Sequence, residues 1–136
     1  GGGTTSCSNI QTFSIVPGYY PGSKTWGAVW MSVGVRPCDP AATLKAVVHA
    51  TQISPMGPDT VYQTQGFPFQ RDDAWSFDAS GSGASYTIDF EPVELESEFQ
   101  VELDVYDLAG TLVESRSTTV TTPAPKISTT AGLSSP

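Results

Sequence analysis

Residues 99–125 read FQVELDVYDLAGTLVESRSTTVTTPAP, and this stretch decides the fold class. Phe99, Val101, Leu103 and Val105 alternate with Gln100, Glu102, Asp104 and Tyr106, giving one apolar and one wet face, the period of a half-buried β-strand. Asp107-Leu108-Ala109-Gly110 supplies a tight turn, a second strand runs over Thr111–Thr122, and Pro123 and Pro125 end it. A two-stranded ribbon is not stable alone in water. Its apolar face therefore calls for an opposing sheet.

The rest of the chain supplies that sheet. Strand-like runs cover Asn9–Val16, ended by Pro17-Gly18, and Thr25–Arg36, stopped by Pro37, with a turn at Tyr20-Pro21-Gly22-Ser23 between them. Leu44–Ile53 forms a third, Pro55–Asp59 a loop, and Thr60–Gln65 a fourth. Ala74–Phe77 and Tyr86–Phe90 flank Ser80-Gly81-Ser82-Gly83, which reads as a hairpin loop. With Glu98–Tyr106 and Thr111–Thr122 the count reaches seven or eight strands, the pattern of an all-β Greek-key sandwich. Helical spacing is missing apart from one turn's worth at Pro40–Leu44. The organisation expected is a flexible lead over residues 1–6, a sandwich domain over 7–122 and an extended Ser/Thr/Pro-rich tail over 123–136.

Length and charge narrow the functional classes. The 136 residues suffice for one domain with a single core. A net charge of −8 argues against nucleic acid and against a polybasic membrane surface. No apolar run approaches the ~20 residues of a membrane-spanning helix. The chain begins without Met or a leader-like segment, as expected of a mature or trimmed form. Few charges and many Thr, Ser, Gly and Pro residues suit an extracellular or cell-surface setting, so Cys7 and Cys38 read as one disulfide closing a loop of about 30 residues. Two buried free thiols are the alternative; a metal pair would leave a tetrahedral site half empty.

The segments Val101–Gly110 and Ser117–Pro125 resemble the closing strands of bacterial immunoglobulin-like and PKD-type domains, relatives of the fibronectin-III-like sandwiches. The shared pattern is an alternating strand, Asp-x-Ala-Gly at the turn, then a Thr/Val strand ending before Pro. Thr111 stands where an Asn often succeeds the Gly, and Trp75-Ser76-Phe77-Asp78 echoes the PKD motif only loosely. The resemblance implies an immunoglobulin-like sandwich with a spacer, adhesive or assembly role, and it brings no active site with it.

The residues themselves offer little catalysis. His49, the single histidine, shares a face with Lys45, Val47 and Thr51 and reads as structural; no nucleophile elbow is present. Asp89, Glu91, Glu94, Glu96, Glu98, Glu102 and Asp104 read as a solvated face, with calcium as the runner-up, and Asp72, Asp73 and Asp78 form a second calcium candidate on the same footing. No enzyme, cofactor or metal is expected.

Aromatic residues carry the sharper question. In the second strand Val29, Met31, Val33 and Val35 lie on one face and Trp26, Ala28, Trp30 and Ser32 on the other. If the Val/Met face points inward, Trp26 and Trp30, near Tyr19 and Tyr20, form an outward platform for a protein partner or sugar rings. If a bulge near Gly27 or Gly34 reverses the register, the tryptophans are core. Two functions stand as expectations. One is a non-catalytic structural or adhesive module of a surface protein or fibre, pairing with copies of itself or neighbouring domains by strand addition through its ends. The other is a carbohydrate-binding module that uses the platform on a glycan.

Overall fold

A computed structural model describes residues 7–54 and 72–126. The strand expected at Thr60–Gln65, the Pro55–Asp59 loop, the 1–6 lead and residues 127–136 of the tail lie outside the described residues. Among the described residues seven strands form: β1 (Ile10–Tyr19), β2 (Trp26–Val35), β3 (Thr43–Ser54), β4 (Asp72–Ser80), β5 (Ala84–Glu94), β6 (Glu98–Tyr106) and β7 (Leu112–Thr121). They make two antiparallel sheets, ordered β1-β2-β5 and β4-β3-β6-β7. The chain changes sheet after β2, after β4 and after β5, as a Greek-key sandwich requires.

Alternation assembles the core. Val29, Met31, Val33 and Val35 of β2 face Phe99, Val101, Leu103 and Val105 of β6, with Leu44, Ala46, Val48 and Ala50 of β3 alongside, all of them buried. Trp75, Phe90 and Phe99 link the layers edge to face, with successive ring centroids 5.6 Å apart. Phe77, Ile88 and Phe90 join this core, whereas Tyr86 sits at its rim, half exposed and tilted 4.6 Å over Phe77.

Two turns obey their residues. Pro21-Gly22 closes on a Ser23 N–H to Tyr20 carbonyl bond of 2.8 Å with Gly22 at φ 80°, the positive angle that makes glycine the natural occupant. Asp107 accepts the N–H groups of Ala109 and Thr111 at 2.9 Å through Oδ1, and Gly110 takes φ 87°. The expected helical turn at Pro40–Leu44 is instead a hydrogen-bonded turn on Asp39, whose carbonyl accepts Ala42 N–H and whose Oδ1 accepts Ala41 N–H.

Three boundaries differ from the sequence reading. β1 does not stop at Pro17-Gly18 but runs through both to Tyr19. It is an edge strand, so the N–H that Pro17 lacks is not required by a second neighbour. Ser80–Gly83 is not a hairpin loop: β4 pairs with β3 and β5 with β2, so it arches from one sheet to the other. A short loop suggests strand pairing, but a sandwich uses short arches as readily. Finally, ordered contacts continue past Thr122 as far as Lys126.

Candidate functional site

The tryptophan question resolves through the register. A bulge does interrupt β2 and β5, but the additional residue lies on β5, where Phe90–Val93 spans the length covered by Gly27–Val29. The alternation of β2 survives. Its Val/Met face is buried, so Trp26 and Trp30 lie on the outer face of the three-stranded sheet, each half-buried.

Around Trp30 the pairing lays out three rows. Val16, Trp30 and Asp89 cross the sheet as one; Ser14, Ser32 and Thr87 as the next; Thr12, Gly34 and Ser85 as the third. Apart from Trp30 and Gly34 these residues are exposed. The result is a sheet face with five exposed hydroxyl residues, and with the indole, a carboxylate and exposed Val16 at one end.

Gly18 makes room for that indole. A Cβ there would lie 2.6 Å from Trp30 Cη2 and closer still to Cζ3. The ring is thus laid over the backbone of the edge strand, an arrangement only glycine permits at that position. No signal in β2 itself announces this; the clue is the glycine in the neighbouring strand.

The four expected contact residues do not all join this face. Trp26 and Trp30 share it, with Ala28 wholly buried between them. Tyr20 is exposed in the turn after β1, its N–H bonded to Trp26 carbonyl at 2.9 Å. Tyr19 pairs with Gly27, whose missing Cβ would point at Leu95 and Thr122, so Tyr19 lies on the inner side, at the pole of the sandwich. There its hydroxyl donates to Ala124 carbonyl at 2.7 Å and Lys126 Nζ stands 4.4 Å over its ring.

That pole is held together by the outgoing chain. Buried Thr122 Oγ1 donates to Glu94 carbonyl at 2.8 Å and accepts Ser97 N–H at 2.9 Å. Glu96, held at φ 52°, donates its N–H to Pro123 carbonyl at 3.1 Å. Lys126 N–H bonds Lys24 carbonyl at 3.0 Å.

The opposite pole carries the disulfide. Cys7 and Cys38 are bonded, 31 positions apart, with Cα atoms 6.0 Å apart, and they tie the start of β1 to the end of β2 as expected. Asn9 reinforces the staple: its Oδ1 accepts Cys38 N–H and its carbonyl accepts Arg36 N–H, each at 2.8 Å. Glu114 of β7 accepts Asn9 N–H at 2.7 Å and Ser8 hydroxyl at 2.6 Å. Burial pushes the Glu114 carboxyl up, but hydrogen bonds from Ser8, Asn9 and Ile10 outweigh it and hold it below the ordinary value.

The acidic residues spread out. A cavity of about 300 Å³ opens between β4 and β5, lined by Asp73, Trp75, Asp89, Glu91, Pro92 and others. Burial and then the charge of Asp89 raise the Glu91 carboxyl above its usual value. On the outer face of the larger sheet, exposed His49 pairs in register with Glu102. A hydrogen bond with Asp104 and that residue's charge lead burial in raising Glu102, against a smaller pull from His49. Among the described residues no three His, Cys, Asp or Glu side chains converge to hold a metal ion. No helix among them is long and apolar enough to cross a membrane.

No protein-family model matches this sequence, and no curated protein matches it.

Proposed function

We propose that this chain is a non-catalytic extracellular module that stands in line within a surface protein or fibre and makes its contacts through the tryptophan face. One observation carries the reading: the disulfide staple and the Thr122–Lys126 segment lie at opposite poles. The staple holds the Ile10 end of β1, whereas Thr122–Lys126 lies at the Tyr19 end. Ten residues of strand place those poles about 30 Å apart. A unit fastened at both poles in this way passes a chain along its long axis.

An incoming strand in the fibre version would have a choice of edges. Pro17 in β1 and Pro92 in β5 interrupt the donor row on both edges of the three-stranded sheet. β4 and β7, the edges of the four-stranded sheet, contain no proline. Strand addition therefore falls to these. Light scattering of the native protein over a concentration series tests the reading. Assemblies that shrink on Trp30→Ala support it, whereas a monomer throughout, with no partner retained from the native surface, overturns it.

The hydroxyl rows beside Trp30 favour one second reading, a glycan-binding face, because sugar rings stack on indoles while their hydroxyls seek Ser, Thr and Asp partners. Retention on a glycan array that Trp30→Ala abolishes would select it.

A further inference from the structure

We infer that Thr122–Lys126 acts as a latched strap, fixing the direction in which the chain leaves the sandwich up to Lys126. By composition this Thr-Pro-Ala-Pro-Lys run is a linker. In the structure it is fastened to three separate parts of the fold.

The first fastening is the β5–β6 arch. Thr122 Oγ1 bonds Glu94 carbonyl and Ser97 N–H, Thr122 N–H bonds Ser97 carbonyl at 2.9 Å, and Glu96 N–H reaches Pro123 carbonyl. The second is the end of β1, where the Tyr19 hydroxyl donates to Ala124 carbonyl. The third is the β1–β2 turn, where Lys126 N–H meets Lys24 carbonyl. Lys126 Nζ then closes over the Tyr19 ring, a cation on an aromatic face in a chain of net charge −8.

The prolines suit a strap. Each fixes its own φ, so Pro123 and Pro125 have less backbone freedom to lose on docking than other residues would. Neither is asked for an N–H. The amides that do bond, at Thr122 and Lys126, flank them. Fastenings on both sides of Pro123 and Pro125 leave the strap no free pivot before Lys126.

The inference goes beyond the in-line reading and does not rest on it. Its test reads the strap itself, whereas assembly size reads the module, so the two can fail separately. Hydrogen exchange of the Lys126 amide and trypsin cleavage after Lys126 are measured on the full chain, with cleavage at Lys45, inside β3, as the control for an intact fold. The wild-type amide should be protected. Tyr19→Phe keeps the ring and removes one hydrogen bond, and should speed both exchange and cleavage at Lys126 by about two- to tenfold. Thr122→Val should release the strap further, while Thr122→Ser restores most of the protection. A Lys126 amide exchanging as fast as in a free peptide, or exchange and cleavage unchanged by Tyr19→Phe, overturns the strap.

Discussion

The two poles of this sandwich solve the same problem, a chain end that must not fray, by different physics. At one, Cys7–Cys38 joins β1 to β2 covalently, with Asn9 and Glu114 packed around the bridge. At the other, hydrogen bonds and one cation–ring contact hold Thr122–Lys126. A disulfide acts chiefly by restricting the unfolded chain. The strap acts only in the folded state, and can open without the domain unfolding. The comparison assigns the staple to global stability and the strap to local order.

The largest effect should come from breaking the staple. Replacing both Cys7 and Cys38 by Ala should lower unfolding free energy by about 3–4 kcal/mol, as expected for a closed loop of this size. Denaturant titration reads it. A loss comparable to that of a surface substitution would mean that Asn9 and Glu114 secure this pole unaided.

Thr122→Val should come next, at about 1–3 kcal/mol, because it leaves the buried Ser97 N–H without its acceptor. The signature that separates the poles is where the loss appears. Amide exchange should quicken around Glu94–Ser97 and Lys126 well before the β2 and β6 core opens. Uniform acceleration over all seven strands would dissolve the distinction.

Gly18→Ala tests the tryptophan face near the strap pole. The added methyl would occupy the space of the Trp30 ring, at a cost of about 1–3 kcal/mol for overpacking. Tryptophan emission should shift to the red as the indole moves into water. An unchanged spectrum would show that the ring has room elsewhere.

These regions are unequally legible in the sequence. Period-2 patterns in Phe99–Tyr106 and Trp26–Val35 expose both strands, and in the first the inward face as well, because alternation is a local property that burial enforces. The Pro21-Gly22 and Asp107–Gly110 turns are equally plain, their residues being dictated by backbone angles. The face of Trp26 and Trp30 depends on which strand holds the bulged residue, a matter of pairing between distant strands. Tyr19 reads as a platform residue because it sits between Gly18 and Tyr20, yet pairing with Gly27 sends it inward to the strap. Pro123–Lys126 reads as linker because composition reports the entropy of a free chain, not the partners waiting at Tyr19, Lys24 and Glu96. The Ser80–Gly83 arch escapes local reading for a similar reason, since a short loop does not say whether its strands share a sheet.

The smallest effect is the pH dependence that Glu114 contributes at the staple pole. Hydrogen bonds from Ser8, Asn9 and Ile10 overcome burial to hold the Glu114 carboxyl below its ordinary value, so the folded state binds this proton less tightly than the unfolded chain. The stabilisation is complete above the unfolded value and is lost as pH falls through the folded one. Glu91 and Glu102 are displaced upward and act in the opposite sense: their contribution is present in acid and fades as pH rises through their folded values. The whole-protein curve therefore mixes both signs, and a difference measurement is needed to isolate Glu114. Glu114→Gln should be less stable than wild type at neutral pH, with the gap closing on acidification, whereas Thr122→Val should lose the same amount at every pH. A gap for Glu114→Gln that stays constant into acid would show that shape rather than charge joins β7 to the start of β1, and the poles would then differ only by their covalent bond.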